Sequence, residues 1–279
     1  MVRSFFAPVA VALLFAMPTS ADRRHDDGAD GVRNSSMWSE TESRNSSRSG
    51  KSLTGISESK GKIRIDGKKG KGGSAAYVSA WEVDWTDGFV LEFEHELSCG
   101  RPKTVDQSAK SGLAMGFGAF DAAAGWTDGI NVAVVRTATG RSLQVSVRID
   151  GAQVDSASVQ LDSGAHDLYI SWTSVAGAVS MDVLADGSAT PLLSLDGIET
   201  WFAGHEAEGM GISLFGTSSG KFKFESSFDD VSYSGDDYDD SDDEGYDDDD
   251  GADDDDEDGS DDSDDDSDDD SDDEDDSDD

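Results

Sequence analysis

Cysteine is all but missing from this 279-residue chain, in which Cys99 stands alone. One thiol allows no disulfide within the chain, so the folded part must draw its stability from a buried core. It also excludes a zinc site made of several thiolates, and Cys99 itself is a buried thiol, an exposed free thiol or an intermolecular link, the buried, inert one being the plainest reading. Histidine is scarce. His25, His95, His166 and His205 are too scattered for a ligand spacing such as H-E-x-x-H. Long apolar runs are absent as well. The longest, FFAPVAVALLFAM, covers about 13 residues, short of the roughly 20 that a spanning helix needs, so no membrane span is expected. Basic charge is absent from 236–279, where almost every residue is Asp, Ser or Glu.

That acidic tail holds about half of the 62 Asp and Glu residues, and it accounts for most of the formal net charge of -41. Tyr238, Tyr246 and Ala252 are too little apolar surface to offset chain entropy and like-charge repulsion. Residues 235–279 are therefore expected to be a disordered polyanion whose partners are divalent cations or basic proteins. Asp254, Asp256, Asp258 and Asp265, with Gly259 between them, fall on the spacing of a calcium loop. Asp is nearly everywhere in this window, however, and position 8 is Asp261. Diffuse, weak Ca²⁺ association is the expectation. Phosphorylation of the tail serines would add further charge.

At the other end, residues 1–21 have the layout of a secretory signal peptide: one Arg, an apolar stretch, then Pro-Thr-Ser-Ala. A secreted, extracellular protein follows. Residues 22–60 are rich in Ser, Arg, Asn and Gly and read as a disordered linker. Two Asn-X-Ser sequons, at Asn34 and Asn45, would be glycosylated in a eukaryotic source. A basic stretch from Arg44 to Lys71 includes Lys60, Lys62, Arg64, Lys68 and Lys69. In an exported acidic protein it is not expected to bind nucleic acid. The opposite charge blocks point instead to contact with the acidic tail of the same chain or of another copy.

Residues 61–234 change character. About eleven short alternating runs follow one another, among them GFVLEFEHEL, GLAMGFGAF, INVAVVR and MGISLF, and none shows sustained helical periodicity. In the first of these, Phe89, Leu91, Phe93, His95 and Leu97 share one face and Val90, Glu92, Glu94 and Glu96 the other. Asp-Gly pairs at 66–67, 87–88, 128–129, 150–151, 186–187 and 196–197 are the residues tight turns favour. The expected fold class is all-β, a two-sheet antiparallel sandwich in one domain.

GSAAYVSAWEVDW followed by a long alternating strand resembles the opening of a legume-type lectin domain. LDSGAHDLYISWTSVAGAVSMDVLADGSATPLLSLDGI is similar to that family's back-sheet strands, and EGMGISLFGTSSGKFKF to its closing segment. The resemblance implies a jelly roll of the concanavalin A-like lectin and glucanase superfamily. It does not bring a sugar site with it. The family's sugar-binding Asp falls here at Ser111, ahead of Gly112-Leu113-Ala114. Its metal-binding acidic strand falls at Val132–Thr137, which has no acid.

Three constellations remain as candidate chemistry. Glu92, Glu94 and Glu96 resemble the acidic E-x-D-x-E strand of β-glucanases, which would make the protein a glycoside hydrolase with paired carboxylates. A solvated strand face is the plainer reading. Gly216-Thr217-Ser218-Ser219-Gly220 matches a hydrolase nucleophile pattern but precedes a strand rather than a helix, so a turn is expected. Trp126, Asp128 and Asn131 lie in a polar loop, 125–131, where an indole face and two polar side chains suit a sugar, although a core or turn role is the plainer reading. Together these support a secreted, non-enzymatic binding module for an extracellular glycan or surface. The alternatives are a glycoside hydrolase and an acidic matrix or mineral-associated protein.

Overall fold

Apolar and polar residues that alternate singly belong on strands with one dry and one wet face. The computed structural model describes residues 23–26, 34–45, 54–67, 73–220 and 222–235, and strands make up most of it. In chain order these are β1 (Arg23–Asp26), β2 (Trp38–Asn45), β3 (Thr54–Ser59), β4 (Lys62–Gly67) and β5 (Gly73–Val83). Then come β6 (Phe89–Cys99), β7 (Ala109–Asp121), β8 (Gly125–Arg136), β9 (Arg141–Ile149) and β10 (Ala152–Gln160). The last are β11 (Ala165–Val175), β12 (Ala178–Ala185), β13 (Leu193–Asp196), β14 (Met210–Ser218) and β15 (Phe224–Gly235), with a short helix α1 (Ile198–Trp201) before β14. They form two antiparallel sheets. One runs β13-β12-β11-β6-β15-β4-β3, with β1 paired to β15; the other runs β10-β9-β8-β7-β14-β5-β2. This is the expected jelly-roll sandwich.

The core lies between the sheets. Phe89, Leu91, Phe93 and Leu97 of β6 are buried while Glu92 and Glu96 on the alternate positions are exposed. Facing them from the second sheet are Leu113 and Met115 of β7, Val132 and Val134 of β8, and Ile212 and Leu214 of β14. Phe89 stacks on Trp172 with ring centroids 5.1 Å apart. The Trp172 indole N–H donates to the Trp85 carbonyl at 2.8 Å. Each large apolar side chain buried in this way contributes roughly 1.5–3 kcal/mol. Cys99, at the end of β6, is free and half-buried, and burial pushes its thiol pKa up.

All eleven anticipated runs overlap strands, but the Asp-Gly pairs divide. Asp150-Gly151 and Asp186-Gly187 have positive φ at both residues (51° and 72°, 54° and 68°), and the first pair is the whole two-residue turn between β9 and β10. Asp128-Gly129 lies inside β8, and Asp66-Gly67 ends β4.

One other expectation needs correcting. The stretch 22–60, read as a linker, supplies β1, β2 and β3. β2 and β3 are edge strands, which are held mainly by main-chain pairing and need little apolar alternation. In the basic stretch, Lys62 pairs with Glu94 at 2.7 Å and Asp229 at 3.2 Å, and Arg64 with Glu225 at 2.8 Å. These two cations meet acids of the sandwich; the expected contact with the tail concerns residues outside those described. The hydrogen bond to Glu94 is the main cause that raises the Lys62 pKa. The signal peptide at 1–21, Lys68 and Lys69, and the tail with Asp254, Asp256, Asp258 and Asp265 lie outside the described residues.

Candidate functional site

Strand pairing places one residue from each of five strands in a row across the second sheet. Glu82 of β5 pairs with Gly211 of β14, Gly211 with Gly116 of β7, Gly116 with Gly129 of β8, and Gly129 with Arg148 of β9. An acid stands at one end and a base at the other, with glycines between. The glycines make a bed for the Trp126 side chain. A Cβ at Gly211 would lie 2.5 Å from the indole ring, and one at Gly116 would lie 2.7 Å from the Trp126 Cβ. Phe120 tilts against the indole at 5.2 Å, and the indole N–H points to the Ala114 carbonyl at 3.4 Å. Trp126, Ala76, Ala114, Ala133 and Phe215 form an apolar cluster separate from the main core. Alternation along β5 and β7 places it on the outer face of this sheet, since Tyr77, Leu113 and Met115 point inward.

A cavity of about 310 Å³ opens beside the indole, lined by Glu82, Gly116, Phe117, Trp126, Glu208 and Gly211 among others. Trp126, only 8 % exposed, is its inner wall. Glu82 and Glu208 are exposed and stand at its mouth. Gly209 also lines it, and any Cβ there would collide with the Glu82 carboxylate.

The loop after α1 holds Glu208 in place. His205 stacks on Phe117 with centroids 4.4 Å apart and planes 5° from parallel. Its Nδ1 lies 3.0 Å from Glu208 Oε2, and its Nε2 lies 3.3 Å from Asp128 Oδ2. The His205 carbonyl accepts the Trp85 indole N–H at 2.9 Å. Asp128 Oδ1 accepts the Asp150 N–H at 2.6 Å, tying the β9–β10 hairpin to the same group.

Of the three residues singled out for sugar binding, Trp126 therefore lines the cavity from a strand rather than from a loop. Asp128 stands behind it and acts through His205. Asn131 is 3 % exposed. Its Nδ2 donates to the Ala124 carbonyl at 3.3 Å, while its Oδ1 has no hydrogen-bond partner among the described residues. Glu92, Glu94 and Glu96 are on the outer face of the other sheet, across the sandwich from the cavity, with Glu94 held by Lys62. Ser111 points into the core, where its hydroxyl donates to the Phe215 carbonyl at 2.9 Å. Ser218 closes β14 and is followed by β15, without the helix a nucleophile turn requires. Asn34 accepts the Ser36 N–H at 3.1 Å in a turn, and Asn45 ends β2. Among the described residues no group of three or more His, Cys, Asp or Glu is placed to hold a metal ion.

On the same outer face, the Lys110 ammonium lies 5.7 Å from the Phe215 ring centroid. Burial, helped by the charge of Arg148, pushes its pKa down to about 8. Glu82 and Glu208 were not singled out from the sequence. The signal available was glycine: Gly112, Gly116, Gly129 and Gly211 interrupt strand patterns, and glycine inside a strand marks a close approach.

No protein-family model matches the chain, and no curated protein matches its sequence. Solved structures do match. An endo-1,3-β-glucanase from Streptomyces sioyaensis superposes with a TM-score of 0.55 at 12% identity, over 83% of this chain and 99% of that one. A β-1,3-glucanase from Mycobacterium marinum gives a TM-score of 0.51 at 15% identity, over 75% and 97%. The carbohydrate recognition domain of Emp47p gives 0.45 at 10%, over 74% and 98%. Identities this low speak for the fold alone. The chain has the concanavalin A-like jelly-roll fold seen in the glucanase structures.

Proposed function

We propose that this protein is a secreted, non-enzymatic carbohydrate-binding module whose acidic tail gathers calcium or basic partners. The observation that carries the reading is the cavity itself. An indole wall rests on a glycine bed, and two carboxylates stand at the mouth. Sugars offer apolar C–H faces that pack on aromatic rings and hydroxyls that donate to carboxylates. A concave site with few, placed polar groups is the usual form of a small-molecule pocket. The test is calorimetry of the full chain against a panel of neutral oligosaccharides. Trp126→Ala is expected to weaken binding tenfold or more. Glu82→Gln with Glu208→Gln, both exposed and harmless to folding, should weaken it several-fold. Binding indifferent to all these changes, or no binding at all, overturns the reading.

A second reading draws on the same two carboxylates. A pair of acids flanking one cavity is the basic equipment of a glycoside hydrolase. On that reading the acids are Glu82 and Glu208 rather than Glu92 and Glu96. Release of reducing ends from a β-glucan panel, abolished by Glu82→Gln, would establish it in place of simple binding.

A further inference from the structure

We infer that the cavity selects cationic sugars, the 2-amino-2-deoxy glycans with a free amine, over neutral and anionic ones. This rests on the glycan-binding reading and names the ligand class for the same site. The first reason is hydrogen-bond polarity. Among the described residues, the charged side chains that line the cavity are Glu82 and Glu208, and no Lys or Arg lines it. An ionised carboxylate only accepts. The indole N–H of Trp126 is directed to the Ala114 carbonyl and is not offered to the cavity. A ligand here must supply the donors, and an ammonium supplies three.

The second reason is charge. Asp128 stands behind the cavity, with the His205 ring between it and Glu208. Even with both ring nitrogens protonated, His205 sets one positive charge against the three carboxylates of Glu82, Glu208 and Asp128. Arg148, at the far end of the glycine row, donates to the Gly151 carbonyl and does not line the cavity. The Glu82 carboxylate has no ion-pair or hydrogen-bond partner among the described residues, so its charge is free for a ligand. Beside it lies the Trp126 ring, and an ammonium near an indole face gains a cation–π attraction in addition to its bonds to the carboxylates. A uronate or sulfated sugar would meet repulsion at the mouth.

The experiment compares two ligands with the same β-1,4-linked gluco backbone, cellotetraose and the fully deacetylated glucosamine tetramer, with a galacturonate tetramer as the anionic probe. Calorimetry is run on the full chain at low salt and again at 0.5 M NaCl. Each carboxylate is exposed and contributes only as much as a surface ion pair. The expected preference for the glucosamine tetramer is therefore about fivefold at low salt and smaller in high salt. It should disappear when Glu82→Gln and Glu208→Gln are combined. That control is needed because the acidic tail can attract a polycation by itself. A preference that survives the double variant assigns the effect to the tail and overturns the inference. Equal affinity for the two tetramers overturns it while leaving the glycan reading intact. Failure of every sugar to bind removes both.

Discussion

His95 is a titratable ring in the middle of an apolar face. It is 1 % exposed on the inner side of β6 and packs against Phe228 at 4.8 Å. Its Nε2 lies 3.2 Å from Ser111 Oγ and 3.1 Å from Ser226 Oγ, so a polar thread through the core joins both sheets. The two serine hydroxyls also bond to each other. The His95 Nδ1 has no hydrogen-bond partner among the described residues. Burial, aided by the charges of Arg141 and His166, lowers the pKa to about 3. The unfolded chain takes up that proton near pH 6.5. The unfolded state thus binds more protons throughout the interval between these values. The stability His95 contributes is full above about pH 6.5 and is lost as pH falls toward 3. The slope approaches about 1.4 kcal/mol per pH unit. Urea unfolding between pH 6.5 and 5 isolates this from most carboxylate titration. His95→Gln is expected to be less stable at pH 7 but to lose less on acidification, so that the two curves converge. Parallel curves would mean that the ring takes up its proton in the native state.

Strands β1 and β2 show how an element with little apolar content is kept. β1 lies along β15 with Arg23 opposite Ser234 and Asp26 opposite Val231. The Asp26 carboxylate accepts the Trp38 indole N–H at 2.8 Å, both side chains being buried, and Trp38 stacks on Tyr77 of β5 at 5.9 Å. One hydrogen bond thereby ties a strand of the first sheet to a strand of the second. A hydrogen bond to a charged group contributes about 1.5–3 kcal/mol. Asp26→Ala should lower the unfolding free energy by that amount in denaturant melts. Amide exchange should quicken at Arg23–Asp26 and at Val231–Ser234, while that of β8 stays unchanged. The alternation rule finds β6 because five of its residues point into a core. It passes over β2, WSETESRN, because that strand's pairing with β5 is written in main-chain groups that every sequence possesses. The site divides along similar lines. Trp126 was legible as an aromatic among polar residues. Glu82 and Glu208 were not, because they are far apart in the chain and meet only through the register that sets Gly211 opposite Glu82.

At the scale of the whole molecule the governing quantity is charge. Twenty-one Lys and Arg face 62 Asp and Glu, and in the sandwich Lys62 and Arg64 are already committed to Glu94, Asp229 and Glu225. Cations from solution must therefore balance most of the remaining charge, and the densest carboxylates are those beyond Gly235. Cation uptake by a run so rich in Asp should involve many weak, salt-sensitive sites, because the same carboxylate recurs along it with no position set apart from the rest. A chain ending at Gly235 keeps every described strand, so the comparison with the full chain is direct. Calorimetric Ca²⁺ titration is expected to give broad, low-affinity binding for the full chain, reduced by 0.5 M NaCl, and none for the shortened one. Binding that persists without the tail would place a calcium site in the sandwich. It would bring back metal-assisted sugar recognition, for which the acid-free segment Val132–Thr137 offers no ligands, and Asp128 and Glu208 beside the cavity would be the first carboxylates to substitute.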